Sequence, residues 1–238
     1  MNVSIFLLCY NERIHLPYTV AHYKKYIPSC TITIYDNEST DGSPDIAREL
    51  GCNVISWNSG NIIDDHKYRD IKNTCWKSVH DGWVIVCDMD EWLCITEDEL
   101  RAEKEAGTTI ITTRGIDMVG ESKQVDLSDI NLHEIKKYFE SSGLSKRSCF
   151  LREKITEINY AHGAHTVTPR GTVVYSKKIY LNKHLCHLGA EFLVDKTLKR
   201  HERSVLMRSQ GLAIHYTNNV DAITNFYYNA LERAATLE

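Results

Sequence analysis

Short apolar runs alternate with longer amphipathic stretches through the first hundred residues, the pattern of βα units around a mostly parallel sheet. Val3 to Cys9 predicts a buried strand. His15 to Tyr26 carries apolar residues at helical spacing, with Pro17 tolerated in a first turn. Thr31 to Tyr35 predicts a second strand, Asp36 to Gly42 a polar turn, and Ser43 to Leu50 a short helix capped by Ser43 and opened by Pro44. Asn53 to Trp57 reads as a third strand and Ile62 to Val79 as a longer helix. Trp83 to Cys87 is an unbroken apolar run, a fourth strand, and it ends in Asp88-Met89-Asp90-Glu91. Glu97 to Ala106 predicts a helix and Thr108 to Thr113 a fifth strand.

After Gly115 the regularity fades. Asp117 to Ser145 mixes polar turns with one expected helix at His133 to Phe139. Four short strand candidates follow, Cys149 to Arg152, Thr166 to Val167, Thr172 to Tyr175 and Ile179 to Leu185, an antiparallel or mixed addition whose turns use Pro169 and Gly171. Helices at about Glu191 to Ser209 and Val220 to Ala234 close the chain. No repeat or Gly/Ser linker divides it, so the expected organisation is one α/β domain over 1–238, with a nucleotide-type half at 1–115 and a second half at 116–238.

With 238 residues, 42% apolar and 25% charged, the chain has material for a sizeable core, and collagen-like, coiled-coil and disordered readings are excluded. A net charge of −4 gives no overall basic footprint for nucleic acid. The charge is uneven: Met1 to Ser145 holds 14 Lys and Arg against 24 Asp and Glu, and Lys146 to Glu238 holds 14 against 8. The acidic part invites a cation and the basic part suits an anion. No stretch has the roughly 18–20 apolar residues of a membrane span, and no secretory leader pattern follows Met1, so a soluble, cytoplasmic protein is expected, with peripheral membrane association left open. Eight cysteines without a CxxC pair read as reduced core residues.

In an open α/β sheet, ligands bind beyond the carboxyl ends of the strands. Those ends are polar here: Cys9-Tyr10-Asn11-Glu12, Asp36-Asn37-Glu38-Ser39-Thr40-Asp41-Gly42 and Asp88-Met89-Asp90-Glu91. Residues i and i+2 of an extended segment point the same way, so Asp88 and Asp90 can face one point. Carboxylates held that close repel unless a proton or cation sits between them, and hard oxygen ligands select Mg²⁺ or Mn²⁺. The competing structural reading is a strand-ending turn with helix-capping Asp residues.

These three segments resemble, in order and spacing, the signature blocks of family 2 glycosyltransferases with the GT-A fold, most strongly over the first 115 residues. The resemblance implies a mixed, mostly parallel sheet flanked by helices. It also implies a metal-dependent enzyme that moves a sugar from a nucleotide-diphospho-sugar, a UDP-sugar foremost, to an acceptor hydroxyl in glycan or polysaccharide biosynthesis. By the same resemblance Tyr10, Asn11 and Glu12 lie near base and ribose, Asp36 accepts a hydrogen bond from the base, and Arg69 and Asn73 close over the nucleotide. Asp88 contacts the ribose or a metal-bound water, and Asp90 ligates a Mn²⁺ or Mg²⁺ ion bridging the diphosphate, whose role is Lewis-acid stabilisation of the leaving group. Segment 116–238 then binds a carbohydrate or glycoconjugate acceptor.

Relatives with this pattern supply a late histidine to the metal. His187 in Lys183-His184-Leu185-Cys186-His187-Leu188-Gly189 occupies the matching place, although Leu188 replaces the usual aromatic, and His184 is the alternative. For the base that takes the acceptor's proton, the loop Glu157 to His165 offers His165, with Glu157, Glu191 and Asp195 as substitutes. Lys183, Lys199, Arg200, Arg203 and Arg208 supply positive charge, some of it able to neutralise phosphate. Two other readings remain: a haloacid-dehalogenase-type Mg-dependent phosphatase, which Trp92 fits poorly, and a non-catalytic nucleotide-sugar or carbohydrate binding module.

Overall fold

Apolar alternation at the amino terminus does build a strand first. In a computed structural model that describes residues 1–238, β1 (Val3–Cys9) is buried at all but one position. Ile5 and Leu7 point to one face of the sheet and Phe6 to the other, as the two-residue period of a strand requires. Helix α1 (His15–Tyr26) covers the first face through Leu16, Val20 and Tyr23. Then come β2 (Cys30–Asp36), α2 (Ser43–Glu49) and β3 (Asn53–Ser56). Helix α3 (Asp65–Thr74) is followed by β4 (Trp83–Asp88), β5 (Glu91–Cys94) and α4 (Glu97–Glu105). Next are β6 (Ile110–Val119), β7 (Lys137–Glu140), β8 (Cys149–Leu151), β9 (Ile155–Glu157) and β10 (Arg170–Gly171). Strand β11 (Tyr175–His187), helices α5 (Ala190–Arg203), α6 (Val205–Ser209) and α7 (Val220–Arg233), and the short β12 (Ala235–Thr236) end the chain.

The architecture is a mixed α/β sheet flanked by helices. β1 lies between β2 and β4 in parallel, and β3 extends β2 in parallel. β8 joins antiparallel to β4 and links it to β6, and β7 and β12 continue that edge. β11 runs parallel to β6 and antiparallel to β5, so strands from both halves of the chain share one sheet. Trp83 and Ile85 are fully buried. Each side chain of this kind contributes about 1.5–3 kcal/mol of burial free energy. A further apolar cluster of Val119, Leu193, Ile223 and Tyr227 seats α5 and α7 on the sheet. All eight cysteines are free thiols, and no helix is long and apolar enough to cross a membrane.

Several sequence expectations need correction. The helix expected at Ile62 to Val79 begins only after Asp64, whose side chain caps the amides of His66 and Lys67, and ends at Thr74. In place of a helix at His133 to Phe139 there is one 3-10 turn, Leu132–Glu134, and then β7, because Tyr138 and Phe139 pair with the free edge of β6. Thr166 to Val167 forms a single bridge to Tyr160, and the helix expected over Glu191 to Ser209 breaks at Ser204. Asp88 to Glu91 is a tight turn into β5, a strand without a sequence forecast, which exists by pairing Glu91 with His184 across to β11.

The strand expected to stop at Thr113 runs on through Gly115 to Val119. A Cβ at Gly115 would stand 2.2 Å from the Leu144 carbonyl carbon, so only glycine lets the segment before Lys146 lie on the strand. That approach brings Lys146 to the sheet's carboxyl edge.

Candidate active site at the carboxyl ends of the strands

The loops after β1 and β2 are stitched together by their own polar residues. Asn11 Oδ1 accepts from Thr40 N at 2.8 Å, Asn11 N donates to Ser39 Oγ at 2.8 Å, and Arg13 N donates to Asp41 Oδ2 at 2.9 Å. Asp36 Oδ2 accepts from Ser39 N at 3.0 Å, and Glu12 N donates to Ser43 Oγ at 3.1 Å. Much of the Asp-Asn-Glu-Ser-Thr-Asp-Gly block thus satisfies backbone donors of the two loops and fixes them against each other. Asn11 pins the loop with φ near 52° and does not line the cavity, and Asp36 is buried behind it with Oδ1 unpartnered.

Beyond these loops opens a cavity of about 870 Å³. Tyr10 and Glu12 line it from the end of β1, and Asp88, Asp90 and Glu91 line it from the end of β4. Lys72 and Arg69 come from α3, Lys146 from the segment before β8, and His162 and His165 from the loop after β9. His184, His187, Arg200, Arg203 and Phe226 close the far side. Of the residues singled out from sequence, Tyr10, Glu12, Arg69, Asp88, Asp90, His165 and His187 all line this one cavity.

The two aspartates have different neighbours. Lys72 Nζ lies 2.8 Å and Lys146 Nζ 3.3 Å from the Asp88 carboxylate, while Lys146 also reaches Glu91 at 2.5 Å. Burial resists ionisation of Asp88, but the two lysines outweigh it and hold the carboxyl far below its usual range. Burial likewise opposes the charge on Lys146, and Glu91 and Asp88 raise it above the ordinary lysine range. Asp90 is 3% exposed, and its Oδ2 faces Lys196 Nζ at 2.8 Å, His184 Nε2 at 3.4 Å and Arg200 Nη2 at 3.6 Å. Burial of Asp90 is again outweighed, here by Lys196, His184 and Arg200, and its carboxyl stays well below the usual range.

The histidine beside Asp90 is His184, not His187. His184 Nδ1 is 2.5 Å from Asp117 Oδ1, and burial of its imidazolium is overcome by Asp90 and Asp117, which raise it well above the usual histidine value. His187 Nδ1 stands 3.3 Å from Asp117, with its ring between Phe139 and Phe226. As these side chains stand, the residues do not fit a divalent ion: Asp90 already faces three cationic groups and Asp88 two. Nowhere do three His, Cys, Asp or Glu side chains converge as a metal cage.

Three substitute bases lie elsewhere. Glu157 pairs with Lys77 on β9, Asp195 pairs with Lys199 at 2.7 Å on the outer face of α5, and Glu191 is exposed in the first turn of that helix. None lines the cavity. Asn73 also stays outside it. Its side chain accepts from Tyr160 N at 2.7 Å and donates to Tyr160 O at 3.1 Å, which anchors the loop carrying His162 and His165. His165 Nδ1 meets the Gly143 carbonyl at 2.6 Å, a contact that needs the proton on Nδ1.

Sequence reasoning missed Lys72, Lys146, Lys196 and Asp117. Lys72 sits one residue before Asn73 on the same helix. Lys196 had a usable signal, since Lys196, Arg200 and Arg203 recur at helical spacing of four and three.

No protein-family model matches the chain. Protein RfbJ of Shigella flexneri is 31% identical over 65 residues, which is 26% of this chain and 50% of that protein. The chain thus aligns with half the length of that curated relative. Among solved structures, S. aureus TarS superposes with a TM-score of 0.48 at 12% identity, covering 98% of this chain and 44% of the TarS chain. The mannosyltransferase PcManGT from Pyrobaculum calidifontis, in complex with GDP-Man and Mn²⁺, superposes at 0.45 with 10% identity, covering 97% of this chain and 74% of that one.

Proposed function

We propose that the chain is a glycosyltransferase that moves a sugar from a nucleotide-diphospho-sugar, a UDP-sugar foremost, to the hydroxyl of a carbohydrate or glycoconjugate acceptor. One observation carries the reading: Asp88 and Asp90 at the end of β4 share a cavity wall with Tyr10 and Glu12 at the end of the adjacent parallel β1. That is where open α/β sheets bind nucleotides. The resemblance of the three strand-end segments to family 2 glycosyltransferases supports the same assignment from sequence. Eight free thiols suit a reducing compartment and support a cytoplasmic location.

In this reading Tyr10 offers its ring to the base, and Asp88 receives the ribose with Lys72 and Lys146 fixing its carboxylate. His165 is the proposed base. The acceptor hydroxyl oxygen attacks the anomeric carbon while its proton passes to Nε2 of His165. The bond from that carbon to the diphosphate oxygen breaks, and the nucleoside diphosphate leaves with the electron pair. The apolar side of the cavity, with Leu193, Ile223 and Phe226, is the proposed face for the acceptor. The Mn²⁺ of PcManGT belongs to that complex.

The test is thermal stabilisation and hydrolysis across UDP-, GDP-, CDP- and dTDP-sugars, repeated on Asp88→Ala. A donor at a hundred times its Kd adds about 2.7 kcal/mol of stability. That is a Tm rise of roughly 5–10 °C for a chain of this size. A rise with one nucleotide class that disappears in the variant is expected. No rise and no turnover with any donor overturns the reading, and phosphate release from an aryl phosphate would replace it with the phosphatase reading.

A further inference from the structure

Helix α5 turns one charged face toward the cavity. Lys196, Arg200 and Arg203 follow at steps of four and three, which stacks them on one side of an α-helix. Lys196 Nζ is 2.8 Å from Asp90 and 3.9 Å from Glu12. Arg200 is 3.6 Å from Asp90, with its guanidinium 5.7 Å from the centre of the Tyr216 ring. Arg203 lies over the Tyr10 ring at 3.2 Å, its Nε donates to the Asn61 carbonyl at 3.3 Å, and its Nη2 is buried with no hydrogen-bond partner.

Asp90 and Glu12 are therefore met by two cations of a single helix, Lys196 and Arg200. Lys196 suffices for Asp90, so Arg200 is only loosely engaged and Arg203 has no carboxylate at all. A buried guanidinium N–H without an acceptor is costly and is relieved by an anion arriving at that spot. The spot lies against Tyr10, next to the strand end where the nucleotide is proposed to sit. Guanidinium forks match phosphate oxygens in two-bond geometry.

We propose that Arg200 and Arg203 hold the diphosphate of the donor, with Lys196 neutralising Asp90, so that nucleoside-diphosphate binding at this site needs no divalent ion. This rests on the nucleotide-sugar reading and adds to it the residues that carry the phosphate charge. Fixed guanidinium groups aimed at the leaving diphosphate supply the charge stabilisation that a Lewis acid supplies elsewhere.

Isothermal titration of UDP, GDP, CDP and dTDP into the protein tests the proposal, once after EDTA dialysis and once with Mn²⁺. One nucleotide is expected to bind without metal, and Arg203→Gln and Arg200→Gln each to weaken it by about tenfold to a hundredfold. Lys199→Gln, on the outer face of the same helix, is expected to change nothing. Arg203→Lys keeps a charge but not the fork, and its expected affinity falls between wild type and Arg203→Gln, which separates phosphate contact from a packing defect. Binding that requires Mn²⁺ and ignores both arginine variants overturns this proposal and leaves the donor reading standing. Failure of all four nucleotides under both conditions removes the donor reading and this inference together.

Discussion

On the sheet side of the cavity, Tyr10, Glu12, Asp88 and Asp90 stand at the ends of two adjacent parallel strands. On the opposite side, His165, His184, Arg200 and Phe226 come from a loop, a strand and two helices spread along the second half of the chain. The sheet side is held by ladder hydrogen bonds and by loop residues such as Asn11 and Asp41 that satisfy neighbouring amides. The far side is held to it by the β11 ladder, by the apolar cluster under α5 and α7, and in addition by ion pairs that cross the cavity floor: Lys146 to Asp88 and Glu91, Lys196 and Arg200 to Asp90. A backbone ladder tolerates loss of a side chain, whereas a buried ion pair that loses one member leaves an uncompensated charge. The second wall is the more vulnerable of the two.

The sharpest way to break this difference is Lys146→Met. Lys146 is 5% exposed and serves two carboxylates at once, so its removal is expected to cost about 3–5 kcal/mol. In a chain of this size that lowers the Tm by roughly 10 °C. A loss no larger than that of a surface substitution would show that the crossing pairs do not secure the second wall.

Titration on the sheet side gives the next effect. His22 is buried, stacked on Trp92 and bonded through Nε2 to the Leu93 carbonyl at 3.0 Å, and burial lowers its pKa from 6.5 to about 4. The unfolded chain takes up the proton first, so stability is fully present above pH 6.5 and is lost as pH falls toward 4. The loss reaches about 3 kcal/mol. Urea unfolding between these pH values measures it, and His22→Gln is expected to flatten the slope without changing nucleotide affinity.

Asn73→Ala probes the far side through its anchor. It leaves the Tyr160 amide buried without an acceptor, at a cost of about 1–3 kcal/mol. Hydrogen exchange is expected to accelerate in residues 160–166 and not in β1 or β4, with turnover falling because the proposed base, His165, is less firmly placed. Arg48→Ala is the baseline: its pair with Asp45 is exposed on α2, and the Tm is expected to move by no more than about 0.5 kcal/mol allows.

Legibility followed the same division. The strands β1, β2, β3 and β4 and helices α1, α2 and α4 were readable within a residue or two, because apolar period is a local signal, although the cap expected of Ser43 is not made and Gly42 holds that position. The strand-end residues Tyr10, Glu12, Asp88 and Asp90 could be placed from that alone, since a parallel sheet puts the ends of its strands on one edge. Asn11 and Asn73 were legible as important positions but not as structural ones: their role depends on the amides of Thr40 and Tyr160 lying opposite them. β5 and β7 escaped because each exists through pairing with a distant edge, β11 or β6.

By itself, then, the sequence determined the parallel strands β1 to β4, helices α1, α2 and α4 and the acidic residues at the strand ends, all properties of segments shorter than about twenty residues. Tertiary structure alone decided what those acids face. Gly115 admits Leu144 and so delivers Lys146 to Asp88, and β11 turns into α5 so that His184, Lys196 and Arg200 surround Asp90. The physical reason is one of range: periodicity and capping act within a turn or two of the chain, while the charge state of a buried carboxylate is set by whichever groups the fold brings within about 4 Å.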